Sequence, residues 1–337
     1  MCGLPCTPSA GAAEAAASAR PPYDWHLPRG FPVPAVPPDN PMSEAKVRLG
    51  ERLFFDRRLS VTGLYACADC HDPARAFSDG RPVAIGATGE RLAHNAMALV
   101  NVAYNISFGW DTREVRSLEA QMLRPMLNEH PIELGLKGRE SAVAAALAAD
   151  AAYARAFAES FPQDPGPVSF DQLVKAIAAF ERTLISGGSP FDRYVFGGEH
   201  SALDAQAKAG MALFYSSRVG CSGCHSGFNF SGNWRDHEGA TGRTSFARDG
   251  TSEHPLRVPT LRNIALTAPY MHDGRFATLD AVLAHYSDLG RDAAQARRID
   301  PRLPRTALTE AERAQLKAFL GSLTDRGFID RYSARAR

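Results

Sequence analysis

The side chains best suited to chemistry fall in two short strings, Cys67-Ala68-Asp69-Cys70-His71 and Cys221-Ser222-Gly223-Cys224-His225. Each sets two thiols three positions apart and follows them at once with an imidazole. Thiols at that spacing can add across the two vinyl groups of a haem, and the adjacent histidine then falls on the iron as its proximal ligand. A bare Cys-x-x-Cys would equally suit a thioredoxin-type redox pair or half of a zinc knuckle. The histidine directly after both pairs, and the lack of a strand pattern before either, argue against those readings. The expected cofactors are therefore two covalently bound haem c groups, one on His71 and one on His225. Such attachment takes place outside the cytoplasm, so the expected location is the periplasm.

The elements that must position these strings are helical. Ser43 opens a segment in which Val47, Gly50, Leu53 and Phe54 recur at spacings of three and four, the pattern of one buried helical face. The pattern returns over 206–215, where Gly210, Leu213, Phe214 and Tyr215 match Gly50, Leu53, Phe54 and Phe55, and each set runs into a Cys-x-x-Cys-His string. A repeat unit this long signals two related domains, not a solenoid. Long helical periods cover 141–161 and 170–185, and a Thr309/Glu312 capping box precedes Leu316, Phe319, Leu320 and Leu323, which predicts a helix closing the second domain. Alternating strand patterns are scarce. The expected class is mainly α, with two cytochrome c-like domains, each holding one haem. Residues 1–41 read as a tail and extended arm, 42–198 as the first domain and 199–337 as the second, with the glycines from Gly187 to Gly198 marking the linker.

Bulk properties exclude several functions. Lys plus Arg total 38 against 37 for Asp plus Glu, so no overall field favours nucleic acid or an anionic membrane surface. No stretch approaches the roughly 20 apolar residues that a transmembrane helix needs. Cys2 and Cys6 lie in an Ala- and Pro-rich leader. Cys2 is a candidate lipid-attachment site, and the alternative is a disordered tail.

From about Asn40 to Asp325 the chain resembles the bacterial di-haem cytochrome c peroxidases and MauG. Asn101 to Arg113, with Trp110 and Asp111, is similar to the family segment that sets a tryptophan between the haems. Leu261-Arg262-Asn263, followed by Pro269-Tyr270-Met271-His272-Asp273-Gly274, is similar to the signature of the second domain. Trp25, Leu27 and Pro28, the arm from Gly30 to Ser43, and the segment from Glu129 to Gly138 most resemble the methanobactin-associated di-haem enzymes. Those use peroxide to convert a tryptophan of a small copper-binding partner protein to kynurenine.

The resemblance implies roles. Glu133 is the expected distal acid/base at the first haem, with Glu129 as rival because its segment is two residues longer than in the usual peroxidases. Where many of those peroxidases carry a loop histidine that caps the first haem, this chain has Ala87, so that haem is expected to be open. His94 and Met97 replace the family's usual arginine and proline. Tyr286 stands where the peroxidases have methionine and MauG tyrosine as sixth ligand of the second iron, with His285 and Met271 as fallbacks. Trp110 is the expected stepping stone between haems. Asn95, with the carbonyls of Thr267 and Pro269, falls on the family's calcium position, and all three are oxygen donors as calcium requires.

The function this implies is that of an exported enzyme using hydrogen peroxide to oxidise a small exported partner protein through a high-valent di-haem state. That partner is copper-binding in the similar enzymes. One alternative is a cytochrome c peroxidase drawing electrons from a small redox protein. The other is a di-haem electron carrier without catalysis.

Overall fold

The computed structural model describes residues 23–242, 245–289 and 298–335. Cys2 and Cys6 therefore lie outside the described residues. The first half holds α1 (Glu44–Phe54), α2 (Cys67–Cys70), α3 (Leu118–Leu127), α4 (Glu140–Ala148), α5 (Ala151–Ser160), α6 (Phe170–Arg182) and α7 (Pro190–Val195). The second holds α8 (Ala205–Tyr215), α9 (Leu279–Asp288), α10 (Glu310–Gly321) and α11 (Arg326–Arg335), plus one short antiparallel pair, β1 (Phe246–Ala247) and β2 (Leu256–Arg257). The mainly helical expectation holds.

Local chemistry sets the boundaries. The Ser43 hydroxyl accepts from Lys46 N to start α1. The helical period expected over 141–161 breaks in two, because Asp150 accepts from the amides of Ala152 and Tyr153 and so caps a new helix, α5. Within the glycine-bounded linker a Ser189/Asp192 capping box and Pro190 build α7. The Thr309/Glu312 box starts α10 as expected, and α11 follows it.

Two apolar cores form around equivalent helix crossings. In the first, α1 crosses α6; in the second, α8 crosses α10. Phe54 meets Phe180 at 5.3 Å between ring centroids, and Phe214 meets Phe319 at 5.1 Å. Each crossing is close because a glycine sits at it. A Cβ on Gly50 would lie 1.9 Å from Ala176 O, and one on Gly210 would lie 1.9 Å from Gln315 O. Gly50→Ala or Gly210→Ala should therefore lower the denaturant midpoint by an amount corresponding to about 1–3 kcal/mol or more of overpacking. Gly321→Ala, at a position with nothing within 4 Å, should leave the midpoint unchanged or raise it slightly. Equal effects at all three positions would contradict the crossing geometry.

Both cores draw on chain from beyond the 198/199 boundary. Phe191 of α7 joins the second core, whereas Phe328, Ile329 and Tyr332 of α11 join the first. Tyr332 packs on Phe77 at 5.4 Å and on Phe180 at 6.2 Å.

The halves meet about a local two-fold. Asn101 and Asn263 both adopt a left-handed backbone at φ 59°. Asn101 N donates to Leu184 O at 2.8 Å, and Asn263 N donates to Leu323 O at 3.0 Å. Their side-chain oxygens accept from Ser186 N at 2.8 Å and Asp325 N at 2.7 Å. Ser186 Oγ then donates to Asp325 Oδ2 at 3.2 Å, so the two equivalent positions touch each other. Beside this seam, Arg262 forms a buried bidentate pair with Asp192 at 2.8 and 2.9 Å. The arm crosses the same seam, with Phe31 on Phe228 at 4.9 Å and the Tyr104 hydroxyl donating to Pro32 O.

Candidate functional site

The second Cys-x-x-Cys-His string opens onto a cavity. Cys221, Cys224 and His225 line it together with Tyr286, Met271, Leu283 and Leu320. His225 Nδ1 lies 3.1 Å from Phe230 O, which takes the proton of that nitrogen and leaves Nε2 for a metal. Burial lowers the pKa of His225, favouring the neutral ring that a metal binds. Tyr286 is enclosed by protein, yet its ring lines the cavity. Burial first, then Asp249 and the cysteines, hold its hydroxyl well above the usual phenol pKa. Its neighbour on α9, His285, faces elsewhere: Nε2 donates to Asp249 O at 2.9 Å, and the ring packs on Phe276. Met271 remains on the cavity wall with Tyr286.

The first string repeats the arrangement. His71 Nδ1 lies 2.9 Å from Phe77 O, and both acceptor residues, Phe77 and Phe230, have left-handed backbones. The main chain of Met97 also backs His71, as that of Pro259 backs His225. Met97 therefore belongs to the histidine side of this site, not the opposite face. Glu133 is partly buried, hydrogen-bonded to Asn128, and its pKa is raised by burial against the lowering pull of Arg124. Burial, then Asp79 and Glu133, push the Cys70 thiol up to about 11. Glu133 thus sits within electrostatic reach of the string, while Glu129 and His130 are exposed. Ala87 is buried and donates its N–H to Glu133 O at 2.6 Å, so the loop over 84–92 is fastened to the Glu133 segment.

Trp110 lines the cavity of the second string, and its Nε1 donates to Asn95 O at 3.1 Å. His272 and His94 flank it, with ring centroids 6.4 and 6.5 Å away. His94 Nε2 lies 3.9 Å from Asp111 Oδ2, and its Nδ1 is buried with no hydrogen-bond partner among the described residues. Asn95 Oδ1 is buried with no partner among the described residues, while Nδ2 donates to Pro269 O and Met271 O. Thr267 and Pro269 line the same cavity. Among the described residues no three His, Cys, Asp or Glu side chains converge on a metal position. A cation beside Asn95 would have to be held by neutral oxygens, and the orphaned Oδ1 fits one after a half-turn of the amide.

Sequence reading missed two residues that the local two-fold exposes. Asn95 N donates to His272 O at 3.0 Å and Arg257 N donates to Trp110 O at 2.7 Å, so Arg257 is the counterpart of Asn95. By the helix crossings, Glu181 is the counterpart of Leu320. Burial, with Arg182 opposing and Glu119 adding, pushes the Glu181 carboxyl up to about 8, and burial first, then Glu181, raise the pKa of the Cys67 thiol. A signal was present for Arg257, because the spacing that relates Asn101 to Asn263 also aligns Asn95 with Arg257, whereas the pairing of Glu181 with Leu320 follows only from the helix crossings.

Two halves of one helical plan, each presenting a Cys-x-x-Cys-His string whose histidine is held by a main-chain carbonyl, define a di-haem oxidoreductase class. A family model for di-haem cytochrome c peroxidases matches residues 44–200. The chain belongs to the di-haem cytochrome c peroxidase and MauG family. It is 35% identical over 306 residues to the methylamine utilization protein MauG of Methylorubrum extorquens, covering 89% of this chain and 83% of that one. It is also 35% identical over 256 residues to the cytochrome c551 peroxidase of Pseudomonas aeruginosa, covering 72% of each. Among solved structures, a MauG-like protein associated with microbial copper homeostasis superposes with a TM-score of 0.86 at 35% identity, covering 91% of this chain and 97% of that one.

Proposed function

We propose that this enzyme carries two haem c groups, on Cys67/Cys70 and Cys221/Cys224, and uses hydrogen peroxide to oxidise a small exported partner protein. The observation that carries this reading is Tyr286 on the wall of the cavity lined by Cys221, Cys224 and His225. A buried phenol held well above its usual pKa is costly to ionise unless a cation lies beside it, and a haem iron would be that cation. A hard anionic oxygen donor stabilises oxidised iron and suits storage of oxidising equivalents better than a methionine thioether does.

The remaining residues divide the work. His71 and His225 would hold the two irons, each kept in the tautomer that frees Nε2 by its carbonyl partner. Glu133 accepts the peroxide proton and returns it to the departing oxygen. Ala87 leaves the peroxide face without a loop ligand. Trp110 links the two sites, and a calcium ion bound through Asn95, Thr267 and Pro269 would fix the loop that carries Trp110's partners. The haem supplies the redox chemistry. The partner would be oxidised at the surface, and the likeness to a structure associated with copper homeostasis favours a copper-linked one. A periplasmic setting follows from covalent haem attachment, and no helix among the described residues is long and apolar enough to cross a membrane.

Electron paramagnetic resonance of the oxidised enzyme tests this reading. One high-spin and one low-spin ferric signal are expected. Two low-spin signals would leave an electron carrier. Rapid turnover with a reduced small cytochrome, with no mass change in a candidate partner, would favour a cytochrome c peroxidase.

A further inference from the structure

We propose that Arg257 binds a propionate carboxylate of the haem held by the second half, tying that group to the Trp110 loop. This rests on the di-haem reading above. Arg257 is 5% exposed and ends β2 on the wall of the cavity that Cys221, Cys224 and His225 line. Its Nε donates to Gly109 O at 2.9 Å, and Nη2 lies 2.6 Å from Met97 Sδ. Neither neighbour carries charge. Among the described residues the other two buried arginines are both matched to carboxylates: Arg262 to Asp192, and Arg182 to Glu119 at 2.8 Å. For Arg257 no carboxylate of the described residues lies within ion-pair distance.

A guanidinium buried without a counter-ion is strongly destabilising, and desolvation here draws its pKa down to about 10. Five N–H donors in a planar fork match a carboxylate bidentately, and the two contacts present leave most of them unused. The only groups that occupy this cavity in the di-haem reading and carry carboxylates are the two propionates. The local two-fold gives independent support. Asn95 Nδ2 donates to Met271 O where Arg257 Nε donates to Gly109 O, so one side of the seam offers oxygens to a cation and the other side supplies a fixed cation.

The test uses the intact enzyme with Arg257→Lys, Arg257→Gln and Arg257→Met. Haem content by intact mass comes first, followed by potentiometric titration of each haem and resonance Raman of the propionate bending modes. A propionate deprived of its cation stabilises ferric iron. The Gln and Met variants should therefore shift the second haem's oxidation equilibrium on the order of tenfold toward ferric, with Lys in between and the first haem moved less. Their propionate modes should shift in the same order. Unchanged equilibria and unchanged modes in haem-loaded variants would overturn the proposal. If Gln and Met fail to load haem, Lys decides alone by the same two readouts. A wild-type protein without haem on Cys221 and Cys224 would instead defeat the di-haem reading.

Discussion

Glu133→Gln is expected to slow reaction with hydrogen peroxide by about 10²-fold or more while haem content stays at the wild-type level. The substitution keeps the shape and the hydrogen bond to Asn128 but removes the group that moves the proton. The wild-type rate should also depend on pH in a particular direction. Burial raises the Glu133 pKa, so the ionised, proton-accepting form is gained at higher pH than for a free carboxylate. The rate should climb as pH rises through that titration, and the climb should vanish in Glu133→Gln. Glu129→Gln, at an exposed position, serves as the control and should react like wild type. A stopped-flow series showing the loss at Glu129 instead would transfer the role.

The second large effect is expected at Tyr286. Tyr286→Phe removes one oxygen from the second cavity and conserves the ring that packs there. The low-spin ferric signal should give way to a high-spin one, and the potential of that haem should rise. Peroxide should still be consumed, since the Glu133 site is untouched, but oxidation of the partner should fall by at least an order of magnitude. A low-spin spectrum that survives the change would make Met271 the ligand, because it shares the cavity wall. His285 would stay excluded, with its Nε2 already bonded to Asp249 O.

Much of this arrangement could be read from residue types because each device is local. A Cys-x-x-Cys-His string, a capping serine followed by a 3–4 apolar period, and a Thr/Glu box at the start of α10 all act within a few residues of chain. Asp150 inside an alanine-rich run was legible too, since an aspartate before Ala152 and Tyr153 competes for their amides, yet the helical period on either side masked the break. Other features depend on contacts between distant segments. Nothing near Arg257 in sequence says that Gly109 and Met97 will meet it, and nothing near Glu181 says that its carboxyl will be buried beside Cys67. His94 and Met97 stand where the family usually has arginine and proline, and sequence alone does not say what they meet. The crossing of loops about Asn101 and Asn263 turns Met97 onto the His71 side and His94 toward Asp111.

The course of α11 also governs the order in which the protein can assemble. Phe328, Ile329 and Tyr332 fill the core that α1 and α6 begin, so that core lacks three apolar side chains until α11 has arrived. The first half should therefore not complete its core before α11 docks, although duplicated proteins commonly fold one unit at a time. A fragment ending near residue 200 would expose Phe77 and Phe180 where Tyr332 now covers them. The two halves should melt in one transition, and any haem joined to Cys67 and Cys70 before α11 docks would be joined to a polypeptide that has not yet closed around it.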